Sequence, residues 1–221
     1  SAITARPRSH ARAWAFIGTG ADDRAPIDDE TAEARATGAP ACPAPHRPAA
    51  VSEPATQTTK IVGGSVAGAC LLALALIAPW EGYSAQPYRD IVGVLTVCHG
   101  HTGRVEPREY SREECGRLLA SDMGEAWTTV QRCISVPMTE HQAAALLSFA
   151  FNVGPGKKGV KDGLCVLRSG AEPRIRAYAN QGRWELACAQ LPNWVFAGGR
   201  RSRGLENRRA AERAMCEGKA P

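Results

Sequence analysis

The chain has 221 residues, 44% of them apolar and 22% charged, proportions ordinary for a globular protein. They exclude a wholly disordered chain, a collagen-like repeat and a polytopic membrane protein. Lys and Arg number 27 against 22 Asp and Glu, a formal charge of +5 that mildly favours anionic partners. The eight cysteines are too few for a scaffold held by disulfides alone and many for a cytosolic enzyme, which points to an oxidising compartment.

Residues 1–60 carry equal numbers of basic and acidic side chains and are rich in Ala, Pro and Thr. Without a sustained apolar period they cannot bury enough surface to offset ordering entropy, so they read as a disordered tail or linker. Residues 61–78, IVGGSVAGACLLALALIA, are uncharged and lie between Lys60 and Glu81. As one helix they would reach about 27 Å, just enough for a bilayer core. Gly63, Gly64 and Gly68 and five alanines dilute the hydrophobicity, so such a segment could enter a membrane and also leave it. The expectation is an uncleaved, weakly hydrophobic membrane helix over 61–79. A cleaved signal peptide and a buried core helix are the competing readings.

From residue 80 onward the sequence reads as a single compact domain, 80–221. Tyr83 to Cys98 holds β-formers interrupted by Pro87 and Gly93 and predicts a hairpin or a three-stranded sheet. Ser111 with Glu114, and Thr139 with Gln142, have the spacing of capping boxes that open helices. The second precedes AAALLSFAFNVG, apolar on nearly every side and therefore central to a core. Further helices are expected over 172–180, 183–191 and 203–216. The fold class is α+β, mostly helical with a small sheet near the front.

The chemistry concentrates in PWEGYSAQPYRDIVGVLTVCHGHTG. Glycoside hydrolysis needs one carboxyl to protonate the leaving oxygen and another to steady developing charge or activate water. Glu81, following Trp80 at the end of an apolar stretch, suits the protonated acid. Asp90, in a polar turn, suits the ionised partner, and Thr96 offers a hydroxyl that could hold a water. The spacing alone is weak evidence, since surface carboxylates are the ordinary case.

Glu81, Gly82, Tyr88, Asp90, Gly93, Thr96, Gly100, His101 and Thr102 together resemble the active-site pattern of phage-type lysozymes, glycoside hydrolase family 24. The likeness continues through VPMTEHQAAALLSFAFNVG and NWVFAGGRRSRGLENRRAAER, covering about residues 80–217. The sequence resembles lambdoid-type endolysins with a signal-anchor-release segment. The resemblance implies a lysozyme-like fold with a small β-sheet subdomain. It implies a muramidase that cuts the β-1,4 bond between N-acetylmuramic acid and N-acetylglucosamine, with Glu81 as general acid, Asp90 as base or charge stabiliser and Thr96 positioning water. A water held by Thr96 suits inversion. The implied partners are peptidoglycan and, transiently through 61–78, the bacterial inner membrane. The enzyme would be anchored N-in and C-out, then released to the periplasm as a monomer. A wall-binding protein on a degenerate lysozyme scaffold is the alternative; the intact Glu81, Asp90 and Thr96 argue against it.

The family pattern also implies that His101 pairs with Asp122, placed at the end of the next helix, and that Arg208 or Arg209 reaches Glu81. Arg200, Arg201, Arg203, Arg208 and Arg209 otherwise read as a solvated basic helix face touching an anionic wall polymer. The absence of interleaved aromatics argues against nucleic acid. His99 and His101 beside Cys98 lack further ligands at zinc spacing, so no metal or cofactor is expected. Cys115 and Cys133, 18 residues apart near one helix, would be about 27 Å apart and beyond bridging reach. The expected bridges are therefore Cys188 with Cys216, Cys98 with Cys115 and Cys133 with Cys165, leaving Cys42 and Cys70 free.

Overall fold

A computed structural model describes residues 61–89 and 93–219. The tail 1–60, with Cys42, lies outside the described residues, as does Asp90. The chain enters through β1 (Ile61–Val62), which pairs parallel with β4 (Met138–Thr139). Gly63, at φ 72°, turns it toward a helix, and the Ser65 hydroxyl accepts from the Gly68 N–H at 2.9 Å to open α1 (Val66–Ile77).

Helix α1 has 12 residues, about 18 Å at 1.5 Å per residue. Residues 61–78 are therefore not one helix, and among the described residues no helix is long and apolar enough to cross a membrane. Ala69, Cys70, Ala73, Leu76 and Ile77 are buried at helical spacing and join the main core, with α1 packed on α3 (Glu140–Val153). In the folded state the segment is thus a core helix. Gly68 has a packing reason: a Cβ there would collide with the Glu140 carboxylate, whose Oε1 accepts from the Ser65 N–H at 3.0 Å.

Helix α3 is the hub, buried from Ala143 through Asn152, because α1, α2 (Arg112–Cys133) and α6 (Arg203–Cys216) all pack against it. Both expected capping boxes form, Ser111 with Glu114 on α2 and Thr139 with Gln142 on α3. Of the two sheet readings for 83–98, the structure has the hairpin, β2 (Ser84–Arg89) against β3 (Leu95–Cys98). Behind it Val97, Cys98, Tyr110 and Cys115 form a small second core.

The C-terminal part departs in detail from expectation. Helix α4 is Arg174–Asn180, starting after Pro173, and α5 is only Trp184–Cys188. The Pro192 region forms a 3-10 turn, Leu191–Asn193, in place of a continued helix. The sequence reading had missed β5 (Phe196–Ala197) and β6 (Arg200–Arg201), joined by Gly198 and Gly199, both at positive φ. Such a pair is what a two-residue hairpin turn requires.

Disulfides join Cys98 to Cys115, Cys133 to Cys165 and Cys188 to Cys216, with Cα separations of 5.1, 5.2 and 5.6 Å. Cys70 is also disulfide-bonded, which corrects the expectation that it stays free. The expectation rested on placing Cys70 in a membrane segment, whereas it is buried on a core helix.

Candidate active site

The site is built where α1 ends. Trp80 and Glu81 donate their N–H groups to the Ile77 carbonyl at 2.9 and 3.2 Å. The Glu81 backbone is therefore fixed to the last turn of a helix whose apolar stripe lies in the core. Its side chain is only 4% exposed. Arg208 on α6 donates from Nη1 to Glu81 Oε1 at 3.1 Å. The distance in sequence is 127 residues, so this contact is tertiary, made where α6 meets the end of α1.

Arg208 is itself buried and divided among three acceptors. Its Nη2 donates to the Ser148 carbonyl at 3.2 Å and its Nε to Glu212 Oε1 at 3.2 Å. Glu212, fully buried, also accepts the Ser148 hydroxyl at 2.7 Å. On its other side Arg209 Nη1 lies 2.9 Å from Glu212 Oε2, an ion pair without an aligned hydrogen bond. Arg209 Nη2 donates to Asn152 Oδ1 at 2.6 Å, and its guanidinium stands over the Phe149 ring at 4.8 Å. Desolvation pushes the Arg209 guanidinium down to about 10, against the nearby negative charge of Glu212; it remains a cation at neutral pH. Arg208 and Arg209 are thus not members of a solvated basic face. Charges this deep are retained only when paired, and Glu212 and Ser148 supply partners that motif reading missed. A buried-polar reading could have found Glu212, since it lies i+4 from Arg208 and i+3 from Arg209 on one helix face.

The β2–β3 hairpin carries the other expected groups. Thr96 stands opposite Tyr88, is fully buried, and donates from Oγ1 to the Val94 carbonyl at 3.1 Å; its oxygen keeps lone pairs for accepting. Asp90 lies outside the described residues, between Arg89 and Gly93. Those flanks are tied together by Arg89 Nη1 donating to the Gly93 carbonyl at 2.7 Å. His101 Nδ1 is 3.1 Å from both carboxylate oxygens of Asp122. Asp122 sits near the middle of α2, not at its end, so the pair pins the loop after β3 to the body of that helix. Tyr83, His99 and Arg112 stack beside the hairpin, with ring centroids of Tyr83 and His99 5.3 Å apart and Arg112 5.5 Å above the Tyr83 ring. Burial holds the His99 imidazole below its ordinary value, favouring the neutral ring. Among the described residues no group of three or more His, Cys, Asp or Glu could hold a metal ion. Glu81 offers a buried carboxyl whose cationic partner is shared with Glu212, an arrangement suited to proton transfer.

The sequence model described as "Phage lysozyme" matches residues 78–212. The SAR-endolysin of Escherichia phage Mu is 37% identical over 70% of this chain and 84% of its own length. The SAR-endolysin of Enterobacteria phage P21 is 39% identical over 62% of this chain and 76% of its own. Among solved structures, the active form of P1 phage endolysin Lyz superposes with a TM-score of 0.56 at 26% identity, covering 66% of this chain and 82% of that one. A P22 lysozyme mutant shares the fold, with a TM-score of 0.54 at 22% identity over 72% of this chain and 99% of that one.

Proposed function

The chain belongs to the phage lysozyme family, and from that premise we propose that it is an endolysin. It acts as a muramidase, hydrolysing the β-1,4 bond between N-acetylmuramic acid and N-acetylglucosamine in peptidoglycan to lyse its host. The observation that carries this reading is Glu81. A carboxyl only 4% exposed, held at the end of α1 and paired with Arg208, supports the general-acid reading, since burial favours the protonated form. Asp90 is assigned as the ionised base or charge stabiliser, and Thr96 as the residue that orients a water for inversion. Glu81, Thr96 and Arg208 come from one chain, which supports reading the enzyme as a monomer. Glu81→Gln keeps the shape and removes the transferable proton. It should abolish solubilisation of purified peptidoglycan while leaving the thermal midpoint close to that of the parent. Near-parental activity would overturn the assignment, and binding without hydrolysis by the parent would favour a degenerate wall-binding scaffold.

We further propose that residues 61–78 anchor the chain in the inner membrane, N-in and C-out, before release to the periplasm. The relatives named SAR-endolysin and the uncharged run support this. Leu76 and Ile77 cannot lie in a bilayer and in the core together, so anchoring and assembly of the Glu81 site exclude one another. The helix leaves Ala67 and Ala75 exposed, and these are the positions for a test; Gly68 is unsuitable because of Glu140. Ala67→Leu with Ala75→Leu should strengthen anchoring by about 1 kcal/mol and slow release when the membrane potential is dissipated, as read by fractionation. Equal release of variant and parent would overturn the tether.

A further inference from the structure

We propose that Glu212 is a positioning residue for the reaction, one that divides the charge of Arg208 between two carboxylates and so keeps the proton of Glu81 on the acid at working pH. This rests on the reading of Glu81 as general acid. A general acid paired with a buried guanidinium has a difficulty. An undivided Arg beside a carboxyl favours the anion and lowers its proton affinity by about 1–3 pH units, which would leave the acid ionised before it could act.

The structure contains the counterweight. Arg208 meets Glu81 through Nη1 at 3.1 Å and Glu212 through Nε at 3.2 Å, so the guanidinium is shared. The Ser148 hydroxyl and Arg209 hold the Glu212 carboxylate in place from its other sides. With Glu81 protonated, Arg208, Arg209 and Glu212 sum to one positive charge; without Glu212 the sum is two. Asp90, assigned above as the ionised partner of Glu81, is common to every variant compared below, and the helices packed on this cluster add little charge among the described residues. Helix α1 and the 3-10 turn Leu191–Asn193 bear no ionisable side chain apart from the bridged Cys70. The ionisable groups of α3, Glu140 and His141, lie about two turns before Ser148. Arg209 has the opposite influence. By drawing on Glu212 it weakens that residue's hold on Arg208, leaving more of the Arg208 charge to Glu81.

The signs follow. Glu212→Gln leaves both guanidinium charges uncompensated, so Glu81 loses its proton more readily. Arg209→Gln retains a donor for Asn152 while removing a cation, so Glu81 holds its proton more firmly. The alkaline limb of kcat/KM against pH reports the acid of the free enzyme. On purified peptidoglycan that limb should move down by about one pH unit in Glu212→Gln and up in Arg209→Gln, with the double variant returning near the parent. A purely structural role would lower activity and thermal midpoint without moving the limb. An unmoved limb in folded Glu212→Gln, or movement in the same direction in both variants, overturns the proposal. If Glu212→Gln does not fold, the limb of Arg209→Gln decides. Activity retained by Glu81→Gln is a separate outcome: it removes the general-acid reading, whereas an inactive Glu81→Gln with unmoved limbs removes only the charge division.

Discussion

Arg208 shows how much one side chain in this molecule must do. Its donors are spent on Glu81, Glu212 and the Ser148 carbonyl, and only 4% of the side chain is exposed. Such a group is not there for net stability, because desolvation offsets most of what the ion pairs return. Removing it is another matter, since two carboxylates and a carbonyl would lose their partner in a place water cannot reach. Arg208→Ala should therefore destabilise the fold by about 3 kcal/mol, measured by urea unfolding. A cost below about 1 kcal/mol would mean that water or Arg209 takes over the site. The contrast with Arg200 and Arg201, exposed on β6, marks the difference between arginines that solubilise and arginines that organise.

At the scale of elements, helix ends decide where the site parts lie. The α2 N-terminus is held by the Ser111 and Glu114 box, with Arg108 Nη2 donating to Glu114 Oε1 at 2.8 Å. The Arg108 bond, then the bond from the Ser111 N–H, holds the Glu114 carboxyl down at about 2. A carboxylate depressed in the folded state stabilises it fully above its unfolded value, and that contribution fades as pH falls toward the folded one. Thermal midpoints of the parent and Glu114→Gln should thus differ at pH 5 and converge as pH falls toward about 2. Added salt should narrow the gap, because the group is partly exposed. A gap independent of pH would show that the cap acts by geometry alone. Helix α1 teaches the complementary lesson. Its residues are apolar enough to suggest a membrane, yet the N-cap at Ser65 and the stripe Ala69, Cys70, Ala73, Leu76 and Ile77 make a short helix that belongs in a protein interior.

Over the whole molecule, the three described bridges tie successive parts of the chain to one another: β3 to α2, the end of α2 to the loop before α4, and α5 to α6. The last closes a separation of 28 residues, for which loop-closure entropy predicts about 3–4 kcal/mol. Cys188→Ser with Cys216→Ser should lose roughly that amount in urea unfolding while retaining hydrolysis at low temperature. Loss of activity without loss of stability would show that the bridge shapes the site.

Local chemistry by itself determined a good deal here. Capping boxes, the apolar run of α3 and the α6 boundaries were legible because each depends on neighbours a few residues away, whereas for 83–98 the sequence left a hairpin and a three-stranded sheet both open. Three bridges were legible from which elements lie next to one another, with helix length excluding Cys115 with Cys133. Motif spacing brought Glu81, Asp90 and Thr96 to notice. Only the tertiary structure decided that residues 66–77 lie against α3 in the folded chain, that Cys70 is bridged, and that Arg208 and Arg209 face inward. Burial and pairing are properties of distant segments brought together. An uncharged stretch reads alike for a bilayer and a core, and an arginine run reads as surface until Glu81 and Ser148 arrive from distant parts of the chain to meet Arg208.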